Sequence, residues 1–529
     1  MANIVRHPCD EGVIRAASAA APCAKASGPW VLAATILGSS MVFIDGTVVN
    51  VALPALQASF NATVADVQWV VEAYALFLAA LLLVGGSLGD RYGRRLLFCI
   101  GVGLFALASA ACGLAANIGQ LILARAVQGV GGALLVPGSL ALISASFAEE
   151  RRGRAIGTWS GFTAITTAAG PVVGGWLIEH ASWRAAFFLN LPIAAVVLLI
   201  SLWRVPESRD AATKGGLDFA GAALATLSLG GIIYGLIESA RIGFNHLTVV
   251  APLAGGLLLF ILFFVVEART NAPMLPLALF RAPNFGGANL LTLLLYTALA
   301  GMLFFLPLNL IQVQGYSATA AGAATLPFVL IMFFLSRWSG GLVKRFGAKL
   351  PLIVGPLIAA VGFALFAVPA VGGSYWQTFF PAVMVLGLGM AVSVAPLTTT
   401  VMSSVAESRA GIASGVNNAV ARTAGLLAVA VFGIVMLQTF NAAFDRRLDT
   451  LSIPQRARVQ LTAQQNKLAG AALPSDLPPQ AEEALKQAIS ASFVSSFRVV
   501  SLTAAALSLL SALTAALMIR REVSVAANS

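Results

Sequence analysis

The stretch Gly86-Ser-Leu-Gly-Asp-Arg-Tyr-Gly-Arg-Arg95 lies between two long apolar runs, and it returns in altered form as Gly340-Gly-Leu-Val-Lys-Arg-Phe-Gly-Ala-Lys349. Both copies have glycine at the first and eighth positions, leucine at the third, and basic residues around a tight turn. A short basic hairpin that occurs twice in an apolar chain indicates two related helical bundles.

The composition is that of a membrane protein. Hydrophobic residues make up 59% of the 529 residues and charged residues 10%, whereas soluble domains are roughly a quarter charged. The net charge of +11 does not require a nucleic-acid partner, because multispanning proteins collect Lys and Arg in short cytoplasmic loops. The sequence therefore predicts an all-α integral membrane protein whose main partner is the lipid bilayer, with no nucleic acid.

Apolar runs long enough to cross a bilayer recur along nearly the whole chain. Length and hydropathy predict about fourteen transmembrane helices. They lie near residues 31–53, 67–88, 96–116, 119–143, 156–178, 185–204, 218–238, 248–267, 286–311, 319–342, 350–370, 376–402, 411–438 and 498–519.

Basic residues alternate between the two sides of the predicted helices. The loops after spans one, three, nine and eleven contain no Lys or Arg, whereas those after spans two, four, six, ten and fourteen do. The basic positions are Arg91, Arg94, Arg95, Arg151, Arg152, Arg154, Arg204, Arg209, Lys214, Lys344, Arg345, Lys349, Arg520 and Arg521. The positive-inside rule then predicts that both termini are cytoplasmic, and the first 30 residues lack the apolar core of a signal peptide.

The segment 441–497 is the one sizeable polar insert, and by this count of spans it is external. Its Lys and Arg residues are compatible with that side because long loops are translocated regardless of charge. Short amphipathic helices are expected near 455–470 and 481–492, separated by Pro474, Pro478 and Pro479. A solvated cap is favoured over a docking or gating role.

No constellation for catalysis or metal binding is visible in the sequence. The four cysteines and three histidines form no spacing typical of metal ligands, and there is no nucleophile elbow. We therefore expect neither an enzyme nor a protein with a metal or other cofactor. A receptor that uses a transporter fold is also disfavoured, because no soluble signalling domain is appended.

Three further motifs follow one another along the chain. Span one contains Asp45-Gly-Thr-Val-Val-Asn-Val-Ala-Leu-Pro54, span four contains Arg125-Ala-Val-Gln-Gly-Val-Gly-Gly-Ala133, and span five contains Gly157 and Gly170-Pro-Val-Val-Gly-Gly175. With the hairpin, they resemble in order the motifs of the fourteen-helix drug:proton antiporters of the major facilitator superfamily. The resemblance covers residues 31–520 and implies transport by alternating access.

The resemblance also implies the domain organisation. Two pseudo-symmetric six-helix bundles are expected, with spans seven and eight as an extra pair between them. The expected parts are a cytoplasmic tail 1–30, an N-terminal bundle 31–205, the inserted pair 206–270, a C-terminal bundle 271–520 that includes the loop 441–497, and a tail 521–529.

Depth within the predicted spans singles out three ionisable side chains, and a charge there is costly unless it is paired or faces a water-filled cavity. At about 1.5 Å per residue, Asp45 and Arg125 both fall roughly 9 Å below the outer face. Glu72 falls near 8 Å on the same count. Their similar depth makes them candidates for proton coupling.

The roles of these three residues differ. Burial raises the pKa of a carboxylate and a nearby guanidinium lowers it, so movement of such a pair can load and release a proton. We therefore favour Asp45 as the proton carrier over a fixed structural contact, and Arg125 as the group that tunes it over simple pairing. Glu72 is a second proton site, an attractor of cationic substrates, or an interfacial residue that reaches water.

The hairpin and span five are expected to act in conformational change. In similar transporters the hairpin carboxylate helps to latch the two bundles on the cytoplasmic side, and in this chain the latch would comprise Gly86, Asp90, Arg91, Gly93 and Arg94. Gly89 and Gly93 would allow the tight turn. The second hairpin carries Lys344 in place of Asp90, so only the first hairpin can fill a role that needs the carboxylate.

The antiporter motif of span five comprises Gly157, Gly170, Pro171, Gly174 and Gly175. Its last four residues permit close approach of a neighbouring helix. The motif departs from the usual pattern at Thr166, where a glycine is typical. Candidates for lining a substrate cavity are Asn50, Trp69, Tyr74, Gln128 and Arg422, with ordinary packing as the alternative for each.

The sequence thus predicts a proton-driven exporter of hydrophobic or amphipathic organic compounds, with protons and small molecules as its partners. The alternatives are an exporter of one endogenous metabolite or siderophore and, with less support, a proton-coupled importer. The expected location is the cell membrane, as in a bacterial inner membrane. In a Gram-negative host the resemblance would add a periplasmic adaptor and an outer-membrane channel.

Overall fold

The computed structural model describes residues 27–209, 218–270, 273, 275–405, 410–451, 453–474 and 477–520. Within them, thirteen helices are long and apolar enough to cross a membrane by length and composition, and Lys349–Leu365 is a shorter apolar helix. The helices satisfy their backbone hydrogen bonds internally, as a hydrocarbon environment requires. The predicted all-α membrane fold with about fourteen spans is confirmed.

Eighteen helices follow one another along the described residues. They are α1 Gly28–Phe60, α2 Val64–Tyr92, α3 Arg94–Leu114, α4 Ile118–Ser146, α5 Glu149–His180, α6 Trp183–Phe188, α7 Asn190–Arg204, α8 Phe219–Ile242, α9 Leu247–Arg269, α10 Pro283–Leu308, α11 Ala318–Ala323, α12 Leu326–Gly340, α13 Leu342–Phe346, α14 Lys349–Leu365, α15 Phe379–Ser403, α16 Ala410–Leu448, α17 Gln455–Thr462 and α18 Pro479–Met518.

The chain divides into two compact units. The first takes its described residues from 1–52, 69–230 and 258–274, and the second from 53–68, 231–257 and 275–529. These borders cut through α1, α2, α8 and α9, so they differ from the predicted boundaries at 205 and 270, which stay a prediction. Lys214, Arg521 and the predicted tails, apart from residues 27–30, lie outside the described residues.

In the first unit α3 and α4 pack closely through glycines. A Cβ atom at Gly131 would lie 2.6 Å from the backbone nitrogen of Phe105, and one at Gly101 would lie 2.9 Å from the carbonyl oxygen of Gly131. Backbone atoms cannot give way as a flexible side chain can. The two helices therefore approach so closely only because side chains are missing at the crossing.

The second unit repeats this arrangement between α14 and α15. A Cβ atom at Gly362 would lie 2.6 Å from the nitrogen of Leu386, and one at Gly355 would lie 2.9 Å from the nitrogen of Ser393. These helices are the eleventh and twelfth spans, whereas α3 and α4 are the third and fourth. The same packing mode thus recurs at the corresponding place in the two bundles.

Helix α5 packs against α1 beside Asp45. A Cβ atom at Gly174 would lie 2.6 Å from Cγ1 of Val48, and one at Gly170 would overlap the hydroxyl of Thr47. Of the remaining motif residues, Gly175 is buried, Pro171 is half-buried within the helix, and Gly157 is exposed with open space around it. The close approach thus belongs to the second half of the motif.

The segment 441–497 differs from the predicted loop. Helices α16 and α18 run for 39 and 40 residues, so each extends well past the length that a bilayer needs. Between them lie α17 and a 3-10 turn at Gln465–Gly470, which agrees with the helix predicted near 455–470. The stretch 481–492 is not a separate short helix, because it is the beginning of α18.

Candidate proton-coupling site and hairpin

The first hairpin joins α2 to α3 through Gly93, whose φ of +129° is a conformation that L side chains rarely adopt. Gly347 occupies the same place in the second hairpin with a φ of +73°. Gly86 and Gly89 lie within α2, so the expectation that Gly89 forms part of the turn is wrong. One left-handed glycine is sufficient to reverse the chain.

Asp90 pairs within its own hairpin. Its Oδ1 accepts a hydrogen bond from Arg94 Nε at 2.8 Å, and the carboxylate side chain stays 35% exposed. An exposed pair of this kind contributes at most about 1 kcal/mol. Arg91 is exposed beside it. The hairpin is therefore held only weakly by its own charges.

Glu207, which sequence reasoning missed, fixes the start of α3. Its carboxylate accepts hydrogen bonds from the backbone nitrogens of Arg95 at 3.0 Å and Leu96 at 3.1 Å. An anion is favoured there by the unpaired N–H groups and the helix dipole. A Cβ atom at Gly93 would lie 2.9 Å from the same carboxylate, so the glycine also makes room for Glu207.

Asp45 and Arg125, which the depth argument places at the same level, meet inside the first unit. Oδ2 of Asp45 on α1 accepts a hydrogen bond from Nη1 of Arg125 on α4. The two residues are 2% and 1% exposed. Removing two charges from water costs several kcal/mol per ion unless further hydrogen bonds compensate.

Two amides provide part of that compensation. Gln128, one turn after Arg125, donates from Nε2 to Asp45 Oδ1 at 2.9 Å and accepts from Arg125 Nη1 at 2.7 Å. Asn190, at the start of α7, donates from Nδ2 to Asp45 Oδ1 at 3.3 Å and to Ser109 Oγ at 3.0 Å. The carboxylate thus accepts hydrogen bonds from three side chains.

Arg125 has partners on α2 as well. Its Nε donates to the carbonyl oxygen of Val70 at 3.0 Å, and its Cζ lies 4.2 Å from the ring centre of Tyr74. A guanidinium over an aromatic face gains about 2 kcal/mol or more when it is desolvated. The guanidinium is consequently held from three directions.

Glu72 does not join this cluster. It precedes Tyr74 by two residues and so points about 200° away around α2. Leu76, one turn after Glu72, packs toward Gly230 of α8, where a Cβ atom would lie 3.4 Å from Leu76 Cδ2. Glu72 is 1% exposed, and its Oε2 has no hydrogen-bond partner among the described residues. In this conformation it does not reach water.

The other cavity candidates are spread over the chain. Tyr74 and Gln128 belong to the Asp45 cluster. Asn50 on α1 and Trp69 on α2 are half-buried. Arg422 is half-buried on α16 in the second unit.

Ser109 and Asn190 are members of the cluster that sequence reasoning missed. Asn190 lies in Phe188-Leu-Asn-Leu-Pro192. From the sequence alone it is a polar residue near the beginning of a predicted span. Ser109 donates to the carbonyl oxygen of Phe187 at 2.8 Å. A serine within an apolar run carries no sequence signal that separates it from ordinary packing.

Comparisons with known proteins agree with this architecture. A sequence profile described as the Major Facilitator Superfamily matches residues 35–429. The tetracenomycin C resistance and export protein of Streptomyces glaucescens is 32% identical over 92% of this chain and 90% of its own length. The multidrug resistance protein Stp of Mycobacterium tuberculosis is 35% identical over 79% of this chain and 78% of its own length.

The fold is also found among solved structures. A bacterial homologue of the human lysosomal transporter Spinster superposes with a TM-score of 0.63 at 19% identity, over 93% of this chain and 98% of that one. The profile match and the relatives above 30% identity, joined to the repeated hairpin and the two glycine-packed bundles, show that the chain belongs to the Major Facilitator Superfamily.

Proposed function

We propose that this protein exports hydrophobic or amphipathic organic compounds in exchange for protons, by alternating access. The observation that carries the proposal is the buried pair of Asp45 and Arg125. An ionisable pair deep in a membrane protein is a functional candidate by default, because it is costly to bury. The family and its relatives are transporters and not enzymes, so we assign ion coupling to the pair, and not catalysis.

The pair suits coupling because its two members behave differently. Arg125 stays protonated at all physiological pH values, so only Asp45 can carry the proton. When the helices rearrange and the pair separates, a buried Asp45 anion loses its compensating charge. Asp45 then binds a proton in place of the guanidinium. When the helices move back, Arg125 pairs with Asp45 again and the proton is released.

Export of drug-like compounds is supported by the names of the relatives. The tetracenomycin C and Stp proteins are described as resistance or export proteins, and another, the puromycin resistance protein of Streptomyces alboniger, is 36% identical over 77% of this chain. These names favour export of drug-like compounds over import, and the name of Stp favours several organic substrates over one endogenous metabolite or siderophore. The protein is thus a multidrug exporter in this proposal.

We assign the hairpin to the cytoplasmic gate, with Gly86, Asp90, Arg91, Gly93 and Arg94 as its latch. The weak, half-exposed pair of Asp90 and Arg94 can exchange partners at low cost, which suits a contact that forms and breaks in each cycle. The glycines of α5 allow that helix to move closely along α1. Glu72 would be a second proton site or an attractor of cations.

We further propose the cell membrane as the location, with both termini cytoplasmic and residues 441–497 external. The alternating distribution of Lys and Arg supports this orientation. The domain boundaries proposed are those at 205 and 270. For a Gram-negative host, the periplasmic adaptor and outer-membrane channel stay a prediction of the family resemblance.

Purified protein in proteoliposomes tests the proposal. With an imposed pH gradient, a fluorescent lipophilic cation such as ethidium should accumulate on the acidic side, and substrate addition should release protons from that side. A protonophore should abolish accumulation. Accumulation that is unaffected by the gradient, for a panel of such compounds, would refute proton coupling.

A further inference from the structure

Asn190 has an unusual hydrogen-bond pattern beside Asp45. The side chain is 1% exposed and uses its Nδ2 for both of its contacts, with Asp45 Oδ1 and Ser109 Oγ. Its Oδ1 is buried without a partner among the described residues. An acceptor left in this way is costly, so a purely structural amide should have been oriented or replaced to avoid it.

The two protonation states of Asp45 need different partners. An ionised carboxylate only accepts hydrogen bonds, whereas a protonated one also donates its O–H. Arg125 cannot accept, and the Oε1 atom of Gln128 already accepts from Arg125 at 2.7 Å. In the conformation described, the Oδ1 atom of Asn190 is an acceptor beside Asp45 that has no donor.

We propose that Asn190 is a positioning residue that serves both states of Asp45. Its N–H donates to the ionised carboxylate, and after proton uptake the amide turns over so that Oδ1 accepts the Asp45 O–H. Rotation exchanges nitrogen and oxygen with almost no change in shape, and the Ser109 hydroxyl can turn from the Phe187 carbonyl oxygen to donate to the amide oxygen instead. This inference rests on the proposed role of Asp45 as proton carrier.

The other titratable or charged groups around Asp45 are Arg125 on α4, Tyr74 on α2 and Cys112 on α3. The Sγ atom of Cys112 lies 3.7 Å from Gln128 Oε1, and the hydroxyl of Tyr74 donates to the Val42 carbonyl oxygen at 3.4 Å. A variant at Asn190 leaves all three in place. A change in pH dependence is then attributable to the amide.

Two variants separate positioning from packing. Asn190→Leu removes the donor and the acceptor at similar volume, and Asn190→Ser keeps a hydroxyl that does both. The hydrogen bond from Asn190 Nδ2 to ionised Asp45 is long, at 3.3 Å. In Asn190→Leu, the loss of the acceptor for the protonated form should therefore outweigh the loss of this donor to the ionised form. We expect half-maximal proton-driven ethidium transport to move to lower pH by about half a unit, a threefold change in proton affinity, while Asn190→Ser keeps the wild-type profile.

A wild-type pH profile for Asn190→Leu, with any loss of rate matched by less protein in the membrane, would overturn the inference. An equal displacement in Asn190→Ser would overturn it too. Asp45→Asn, measured in parallel, distinguishes this failure from that of the proposed function. If Asp45→Asn still couples transport to protons, the proposed function itself is wrong.

The outer segment supports a second inference, independent of the first. In the described part of residues 441–497, which we call the cap, Leu461, Leu468 and Leu485 are fully buried. Arg447 ties the two long helices together by donating to Ser492 and Ser495. The cap is thus a folded body and not a solvated loop.

The cap contacts the connection between α1 and α2. Lys467 Nζ donates to Asn61 Oδ1 in that connection. Gln312 Nε2 donates to Gln57 Oε1 of α1 at 2.9 Å, and a Cβ atom at Gly470 of the cap would lie 3.2 Å from Gln312 Nε2. All of these residues belong to the second unit, while α1 continues back to Asp45.

This contact is polar and incompletely satisfied. Gln57 Nε2 and Gln312 Oε1 at this contact, and Asn466 Oδ1 next to Lys467 in the sequence, are buried without partners among the described residues. Such atoms favour opening, because water would then satisfy them. A permanent interface would instead be expected to match its polar groups.

We infer that the cap is an outer latch that holds the α1–α2 connection and must release it in each transport cycle. The test uses Asn61→Cys with Lys467→Cys, in a chain whose native cysteines are replaced by alanine, and a reducible bifunctional thiol reagent. Asp449→Cys with Arg458→Cys is the matched control, because that ion pair of 2.7 Å lies wholly within the cap.

Cross-linking positions 61 and 467 should reduce transport at least tenfold, and reduction of the reagent should restore it. The control cross-link should leave transport unchanged. Normal turnover with positions 61 and 467 cross-linked would show that the cap never releases the connection, and the latch would be refuted.

Discussion

At the scale of single residues, the buried pair of Asp45 and Arg125 exists because its surroundings compensate for lost hydration. The carboxylate accepts from three side chains, and the guanidinium also binds a carbonyl oxygen and a ring face. Removal of one partner from a buried pair typically costs about 3–5 kcal/mol. Separation of the pair in a transport cycle therefore favours proton uptake, because protonation of Asp45 removes the uncompensated negative charge.

Asp45→Asn should abolish proton-coupled export while the protein stays in the membrane. The amide keeps the size of the carboxylate but cannot bind a proton in the physiological range. Transport against a gradient should fall at least tenfold, whereas exchange of substrate at equilibrium should persist. Both are measured in proteoliposomes with matched amounts of protein.

Asp449→Asn provides the control for this variant, because Asp449 is an exposed cap residue paired with Arg458. It should transport at the wild-type rate. If Asp45→Asn exports against a gradient with wild-type pH dependence, Asp45 is structural. Glu72 would then become the principal candidate for the coupling site.

Arg125→Lys should fail although it keeps the positive charge. One ammonium group cannot reach the Val70 carbonyl oxygen and Asp45 with the planar geometry of a guanidinium, and it stacks less well on Tyr74. We expect transport to fall about tenfold or more. Wild-type transport by this variant would show that only the charge matters at position 125.

The sequence predicted Asp45 and Arg125 because each is a charge within an apolar run. It did not predict Asn190 or Ser109, which are uncharged and lie on other helices. Which helices become neighbours depends on packing that no local pattern records. Glu207 was missed for the same reason, since 112 residues separate it from the nitrogen of Arg95 that it binds.

At the scale of helices, glycine at the crossings sets how closely the spans pack. Gly131→Ala should destabilise the protein, because its Cβ would lie 2.6 Å from the Phe105 nitrogen. Overpacking of this kind costs about 1–3 kcal/mol or more. Gly103→Ala on α3 has open space around its Cβ and should be neutral or slightly stabilising.

Thermal unfolding in detergent, followed by loss of monodisperse protein, compares these two variants. The melting temperature of Gly131→Ala should fall by several degrees relative to Gly103→Ala. Equal melting temperatures would mean that α3 and α4 can separate at no cost. The inferred role of the glycines in both bundles would then be wrong.

The repeated hairpin offers a comparison between its two copies. Asp90→Asn should impair cycling more than Lys344→Ala, because only Asp90 supplies an anion that can exchange partners in the proposed latch. If the exchanged partner of Asp90 is a helix N-terminus, the interaction is worth about 0.3–1 kcal/mol when exposed and up to roughly 2 kcal/mol when partly buried. That would change a two-state equilibrium about two- to thirtyfold.

Transport rate and the accessibility of introduced cysteines from either side measure this difference. Lys344→Ala should lose only part of the positive-inside charge, which Arg345 and Lys349 still supply. Equal defects in the two variants would reduce the hairpin to a basic turn. A wild-type transport rate for Asp90→Asn would lead to the same conclusion, that the hairpin is a basic turn with no latch.

Hydropathy predicted the helices well because length and apolarity are local properties. It did not predict the full length of α16 and α18 at the cap. Both helices continue into polar sequence there, beyond the apolar residues that hydropathy detects. It also placed the end of the eleventh span at 370, whereas α14 ends at Leu365. The difference arises because apolar residues continue beyond the last helical turn.

At the scale of the whole molecule, the two bundles share glycine packing but differ in their charges. The first unit contains the buried ion pair, whereas between α10 and α16 of the second unit Asn417 donates to Asn289 at 3.1 Å and to Thr292 at 2.8 Å. Neutral groups can orient helices but cannot carry protons. This asymmetry is consistent with coupling in one half of a pseudo-symmetric fold.

The orientation of the whole chain provides the last prediction. The short loops after spans two, four, six, ten and fourteen are basic, whereas those after spans one, three, nine and eleven lack Lys and Arg, so the cap should be external and the hairpins cytoplasmic. Cysteines introduced at exposed cap positions such as Asp449 and Glu483 should react with an impermeant maleimide in sealed cells. A cysteine at Arg345, beside the second hairpin's turn, should react only after permeabilisation. Labelling of position 345 in sealed cells, with no labelling of the cap, would invert the topology and place the Asp45 pair near the cytoplasmic face.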